Sequence, residues 1–301
     1  DRAFFTNSGT EANEAAIKLA RRHGGDRGAF EIISLDGSFH GRTLGALAAT
    51  GQPKYQAPFA PLPEGFRQVP LNDADALRAA VGERTAAILL EPIQGESGSH
   101  PLSDEFLLAA REAADAAGAL LIFDEIQTGI GRTGTFFAFE ATPVIPDVVT
   151  IAKGLGGGVP IGAMLVREPA SAFHLGDHGT TLGGNALMAA AALATLRVID
   201  DEGLMDNARA MGTRFADALE AFVAEGLVTE VRGRGLMIGV ETAGPIARKA
   251  MAIARDDHHL LINATGDTTL RIVPPLTINA EEVDEAVARM RPALAAAASG
   301  A

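Results

Sequence analysis

Short apolar runs alternate with amphipathic helical stretches through the first two-thirds of this 301-residue chain, and that alternation limits its possible folds more than any other feature. Strand-type runs fall at residues 3–6, 31–35, 86–90, 119–123, 148–151 and 162–166. Helical periodicity fills 13–22, 74–81 and 105–117 between them. Short runs that are apolar throughout mark strands covered on both faces. The pattern therefore predicts an α/β fold: a mainly parallel sheet with helices on both faces. From 185 to about 223 the pattern is helical, with a break near Gly203. A strand at 236–241, a helix at 246–255, a strand at 270–272 and a helix at 280–291 follow. We expect a large domain over 1–195 and a smaller C-terminal α+β domain over 196–301, with the Ala-rich stretch 295–301 as a fraying helix end.

Composition excludes several classes. The net charge of −13 disfavours nonspecific nucleic-acid binding. No apolar run approaches the roughly 20 residues of a membrane span. The chain contains no cysteine, which removes disulfides, thiolate metal sites and Cys nucleophiles, and no metal site is expected. The reading is a soluble, cytoplasmic protein with no nucleic-acid or membrane partner.

Ligands of parallel sheets bind beyond the carboxyl ends of the strands, so the residues that follow each run carry the functional information. Asn7-Ser8-Gly9-Thr10-Glu11 follows the first run and opens a helix. Ser8 and Glu11 have capping-box spacing, and the free N–H groups of such a helix start bind anions. Taken alone, the segment is accounted for by a well-capped helix with no ligand. Ser38-Phe39-His40-Gly41-Arg42-Thr43 supplies an aromatic face and a guanidinium, while a lone His40 reads as a turn hydrogen-bonder. The run at 119–123 ends in Asp124-Glu125. That ending suits either a functional acid or a carboxylate that caps a turn. It also suits a nucleotidase, but none of the four lysines (Lys18, Lys54, Lys153, Lys249) lies in a phosphate loop of the form G-x-x-x-x-G-K-[ST]. Gly129 to Gly134 matches G-x-G-x-x-G without the helix that a dinucleotide's pyrophosphate requires. Lys153 closes the apolar run 148–151 ahead of Gly156-Gly157-Gly158, either as a desolvated Schiff-base amine or as a lysine reaching solvent. Gly179-Thr180-Thr181-Leu182-Gly183-Gly184-Asn185 is a phosphate contact or a simple turn before a helix.

Together the motifs NSGTEANEAAIKLARR, SFHGRT, LEPIQGESG, FDEIQTGIGRTG, IAKGLGGGVPIGA, HGTTLGGN, RGRGLMIGVE and LRIVPPL resemble those of the class III, fold-type I pyridoxal-phosphate aminotransferases, from Asp1 to about residue 295. The resemblance implies that pyridoxal 5′-phosphate is the cofactor, with Lys153 as its Schiff-base lysine and Asp124 as the acid at the ring nitrogen. Gly9 and Thr10 would hold the phosphate, Phe39 would cover one ring face, and Glu125, Ile126 and Gln127 would complete the cofactor site. Thr181 would reach the cofactor of a neighbouring subunit in a homodimer with shared active sites, with Thr180 beside the substrate. Arg42 and Arg271 would take substrate carboxylates, and Glu96 would pair with Arg271 when no carboxylate is present. The implied reaction moves the terminal amine of N2-acetyl-L-ornithine to 2-oxoglutarate, a step of arginine biosynthesis. Another ω-amine donor such as ornithine or succinylornithine, or an inactive homologue acting as an interaction surface, is the alternative. Family members carry an N-terminal arm ahead of the position matching Asp1, so the reading expects a chain that starts inside a domain.

Overall fold

A strand buried on both faces must place alternate side chains in two separate cores, and the computed structural model, described here over residues 1–299, does this. In chain order the first elements are β1 (Arg2–Thr6), α1 (Gly9–Gly24), β2 (Glu31–Leu35), α2 (Leu44–Ala49), α3 (Pro53–Gln56), β3 (Phe66–Val69), α4 (Ala74–Ala80) and β4 (Thr85–Leu90). Next come β5 (Ile93–Gln94), β6 (His100–Pro101), α5 (Asp104–Ala117), β7 (Leu120–Asp124), β8 (Val148–Ile151), β9 (Gly162–Val166) and α6 (Ala186–Asp201). The chain continues through α7 (Leu204–Ala224), β10 (Val228–Arg234), β11 (Met237–Thr242), α8 (Ala247–His258), β12 (Asn263–Ala264), β13 (Thr269–Ile272) and α9 (Ala280–Ala298).

The chain divides into two compact units. The first comprises Asp1–Pro92, Leu102–Ile130 and Phe137–Val198; the second comprises Ile93–Pro101, Gly131–Phe136 and Ile199–Ala301. Reading along the chain does not reveal the two short excursions, because each lies inside the first two-thirds of the sequence.

In the first unit seven strands form one sheet in the order β1-β9-β8-β7-β4-β2-β3. β9 pairs antiparallel with both of its neighbours, and the remaining pairs are parallel, so six strands share one direction. Ile32, Ala87, Leu89, Leu120 and Ile122 pack with Ala15, Ala16, Leu19 and Ala20 of α1 on one face. Their sequence neighbours Ile33, Ile88, Leu90, Leu121 and Phe123 pack with Leu77 of α4 and Phe106, Leu107 and Ala110 of α5 on the other. Each large apolar side chain buried this way contributes about 1.5–3 kcal/mol. Ser103 accepts from Phe106 N at the start of α5, and Gly118, with φ 60°, ends that helix in the left-handed conformation that glycine adopts without strain.

The second unit holds an antiparallel sheet in the order β10-β11-β13-β12. Its core joins Phe215, Leu219 and Phe222 of α7, Val240, Leu270 and Ile272 of the sheet, and Val283, Met290 and Leu294 of α9. The helix expected at 280–291 runs on to Ala298, opened by a capping box between Asn279 and Glu282. Part of the expected fraying stretch 295–301 lies outside the described residues. β3 and β10 had no counterpart in the sequence pattern, because polar residues interrupt both (FRQV and VTEVRGR).

Leu89→Ala should cost about 2–5 kcal/mol and Asn279→Ala about 1 kcal/mol, since one opens a sealed core and the other removes only a helix cap. Urea midpoints at constant slope measure both; equal losses would contradict this division.

Candidate active site

Because six strands run the same way, their carboxyl ends line one edge of the sheet. Asn7 to Thr10 follow β1, Phe39 to Arg42 follow β2, Glu91 follows β4, Asp124 ends β7, and Lys153 follows β8. β9 runs the other way, and the turn before it (Val159-Pro160-Ile161) reaches the same edge. These segments enclose a cavity of about 570 Å³ lined by Gly9, Thr10, Phe39, Arg42, Asp124, Ile126, Gln127 and Lys153 among others.

At one wall α1 begins. Ser8 Oγ accepts from Glu11 N (3.4 Å), and Glu11 Oε2 accepts from the backbone and side-chain amides of Asn7 (2.8 Å each). A Cβ on Gly9 would lie 2.9 Å from the Ile126 side chain, so glycine is required for the helix start to approach the loop after β7. Gly41, with φ 140°, makes a similar approach, since its Cβ would meet Thr10 Oγ1 at 2.2 Å. Thr10 Oγ1 also lies 2.9 Å from Thr43 Oγ1.

Below the cavity Asp124 is only 4% exposed. Its Oδ2 accepts from Asn13 Nδ2 (2.7 Å) and faces His40 Nδ1 (2.8 Å); its Oδ1 accepts from Ile126 N (3.1 Å). An ionised carboxylate is acceptor-only, which assigns the proton of His40 to Nδ1. His40 Nε2 is buried with no partner among the described residues. His40 therefore orients the acid and does not merely close its own turn, as its sequence context suggests.

Phe39 N donates to the buried Glu91 Oε2 (2.9 Å). The Arg42 guanidinium lies 4.0 Å from the Tyr55 ring centroid and 5.4 Å from that of Phe39, and the two rings meet edge to face. These contacts hold the fork of Arg42 at the cavity wall. Lys153 is exposed rather than desolvated, and its φ of 30° is a left-handed backbone conformation uncommon for a side-chain-bearing residue. Such strain persists where the surrounding structure enforces it, and it is concentrated at functional sites.

Other candidates lie elsewhere. Glu125 is absent from the cavity lining. Its carboxylate accepts from Ala138 N (2.7 Å), Phe139 N (2.9 Å) and the Thr128 hydroxyl (3.0 Å). Thr180 and Thr181 are exposed outside the cavity lining, with Thr180 Oγ1 accepting from Asn7 Nδ2 (3.3 Å) and Gly183 N (3.2 Å). Glu96 and Arg271 belong to the second unit, where Arg271 Nη1 donates to Glu96 Oε1 (2.7 Å) and Gly95 O (3.0 Å). The Gly129-to-Gly134 motif lies in turns with no α-helix opening from it.

Sequence reasoning passed over Asn13, Glu91, Tyr55 and Thr150. Asn13 had a usable signal: it is a polar residue within the apolar stripe of α1 and is wholly buried. Glu91 had another, directly after the apolar run of β4.

The donors and shapes fit pyridoxal phosphate. A glycine-opened helix start suits a phosphate, an aromatic side chain and a hydrogen-bonded acid suit a protonated heteroaromatic ring, and a lysine on the same cavity suits an aldehyde. Among the described residues no group of three or more His, Asp or Glu is placed to hold a metal ion, and no helix is long and apolar enough to cross a membrane.

A family model described as aminotransferase class-III matches residues 1–294. The acetylornithine aminotransferase of Methanocaldococcus jannaschii is 49% identical over 294 residues, covering 94% of this chain and 72% of that protein. That of Mycobacterium tuberculosis is 48% identical over 301 residues, covering 100% of this chain and 74% of that protein. Among solved structures, ornithine aminotransferase from Toxoplasma gondii, which has pyridoxal phosphate at partial occupancy in its active site, superposes with a TM-score of 0.93 at 32% identity. It covers 100% of this chain and 74% of that one. An (S)-enantioselective omega-transaminase from Thermomicrobium roseum gives 0.91 at 32% identity, covering 99% and 75%.

Burial pushes the Glu125 carboxyl up from 4.5 to about 7, against the pull of its backbone donors and Thr128. Between those values the folded chain holds a proton that the unfolded chain has released. Stability from this group is therefore full below about pH 4.5, falls as pH rises, and levels off above about 7. At about 1.4 kcal/mol per pKa unit the full loss is roughly 3–4 kcal/mol. Urea unfolding at pH 5 and pH 7.5 should show that decline in the unaltered chain and a flatter profile in Glu125→Gln; parallel profiles would assign the slope elsewhere.

Proposed function

The chain belongs to the class-III aminotransferases, and from that premise we propose that it transfers the terminal amine of N2-acetyl-L-ornithine to 2-oxoglutarate on pyridoxal 5′-phosphate. One observation carries the reading: a glycine-opened helix start, an aromatic side chain, a buried hydrogen-bonded acid, a lysine and an arginine all line one cavity at the carboxyl edge of one sheet. Relatives near 50% identity that are named for acetylornithine favour that donor over other ω-amines.

Gly9 and Thr10 would hold the phosphate through the N–H groups and positive end of α1. Phe39 would cover one face of the ring, and Ile126 and Gln127 would border it. When bound, the cofactor supplies an electron sink for the charge left at the substrate carbon. The Asp124 carboxylate would keep the ring nitrogen protonated, and its hydrogen bonds would hold the carboxylate in place. Lys153 Nζ would hold the cofactor's aldehyde and would take the proton from the substrate carbon. Arg42 would bind a substrate carboxylate with two parallel N–H bonds, an arrangement lysine cannot make. Arg271 would bind a second carboxylate in exchange for Glu96. Glu125 would act through the loop it anchors rather than through direct contact.

We keep as part of this proposal a cytoplasmic homodimer without nucleic-acid or membrane partners. The large cofactor domain would span 1–195 and the smaller domain 196–301. The exposed segment holding Thr180 and Thr181 is suited to an interface between copies.

Borohydride reduction of the pyridoxal-phosphate-loaded protein should leave a tag on Lys153, and N2-acetylornithine should bleach the visible band of an unreduced sample. A kcat/KM for ornithine equal to that for acetylornithine would remove the donor assignment. Asp124→Asn should keep the fold and slow the donor half-reaction at least 100-fold, about 2.7 kcal/mol of transition-state stabilisation; single-turnover rates within threefold of the unaltered chain would refute its role. Arg42→Lys should lower kcat/KM for the donor about tenfold, because a two-pronged contact becomes a point charge. No change would leave Arg42 as a packing partner of Tyr55.

A further inference from the structure

Asp124 and three other buried side chains, His40, Asn13 and Thr150, form one hydrogen-bonded set, and neither Asn13 nor Thr150 lines the cavity. The Thr150 hydroxyl donates to Asn13 Oδ1 (2.8 Å). The two N–H groups of that amide then point away from Thr150. One donates to Asp124 Oδ2 (2.7 Å) and the other to the His40 carbonyl (2.7 Å). Asn13 and Thr150 are both 0% exposed, so no water can substitute for a missing partner.

An amide has two orientations related by a flip, with similar shapes and opposite polarity. Flipped, Asn13 would turn its carbonyl oxygen toward both a carboxylate oxygen and a backbone carbonyl. The Asp124 carboxylate and the His40 carbonyl, both acceptors only, mark one side of the amide as donor, and the Thr150 hydroxyl rotates to supply the hydrogen bond that the buried amide oxygen needs. Thr150 occupies the β8 position paired with Asp124 in β7, and its own carbonyl accepts from Glu125 N (2.9 Å). Asn13 belongs to α1, whose first residues line the cavity. The set therefore ties the helix that would hold the phosphate to the acid that would meet the ring.

We propose that Asn13 and Thr150 are positioning residues: the Thr150 hydroxyl satisfies and holds the buried amide oxygen of Asn13, and the amide N–H of Asn13 keeps the Asp124 carboxylate aimed toward the cavity. This assignment rests on the functional reading above for its consequence and on these hydrogen bonds alone for its geometry.

The test has one arm without cofactor and one with it. In the isotope-labelled chain without cofactor, both Asn13 Nδ2 protons should exchange slowly with solvent, and they should lose that protection in Thr150→Val, which removes the hydroxyl with little change of shape. Protons that exchange as freely as those of exposed amides in the unaltered chain would overturn the geometry. In the second arm, Thr150→Val should raise the dissociation constant for pyridoxal 5′-phosphate at least tenfold, and Thr150→Ser should restore it to within twofold. With Asp124→Asn already in place, Thr150→Val should change that constant less than twofold, because the new amide can adapt to either orientation of Asn13. An equal tenfold loss in both backgrounds would show that Thr150 supports only the fold. An unaltered chain that takes up no pyridoxal phosphate would refute the functional reading, and the exchange arm would still decide the geometry.

Discussion

Removing a carboxylate from water costs several kcal/mol unless hydrogen bonds replace its hydration, and Asp124 places that requirement at the centre of the first unit. The residues that meet it come from separate segments: Asn13 from α1, His40 from the loop after β2, and Ile126 N from the turn after β7. Each can reach the acid only if its own strand or helix is in register. The parallel sheet is thus more than a scaffold under the cavity. Its shared strand direction brings those segments to one edge, and the acid's need for donors holds them there.

Two adjacent carboxylates show how strongly position governs role. Asp124 ends β7 and lines the cavity, and Glu125, one residue on, does not. Glu125 accepts from Ala138 N, Phe139 N and the Thr128 hydroxyl, closing the loop from 125 to 139 onto itself. Burial still dominates its proton affinity, pushing it to about 7. The two acids thus anchor different parts of one turn: Asp124 lines the cavity, and Glu125 fixes the backbone that follows it.

Much of this was legible in the sequence because it follows from strand periodicity. The runs at 31–35, 148–151 and 162–166 coincide with β2, β8 and β9, and the residues after them lead directly to Phe39, Arg42 and Lys153. β3 and β10 were missed because adjacent polar residues interrupt both (FRQV and VTEVRGR), which leaves neither an apolar run nor a period-2 alternation to stand out from loop sequence. The roles of Asn13 and Thr150 were hidden for a different reason. A single buried amide or hydroxyl looks like many others until its partners, 111 and 137 positions from Asn13 along the chain, are brought together. His40 belongs to the same group, because its partner is 84 residues away.

The second unit presents the same logic with arginine. Arg232 donates to Gly98 O, Glu241 and Thr269, and so clasps the 95–100 turn against the antiparallel sheet. Gly239 in β11 allows the approach, since its Cβ would lie 2.3 Å from Gly98 O. The turn in turn carries Glu96, which meets Arg271 of β13. A charged pair on a freely moving loop would contribute little, because ordering two long side chains offsets most of the Coulomb gain. Here the loop backbone is already held by a second, nearly buried guanidinium, so the Glu96 carboxylate approaches Arg271 from a fixed direction. The sequence shows the glycines and charges of QGESG and RGRG but not their meeting, because only the fold of the sheet brings residue 98 against residues 232 and 239.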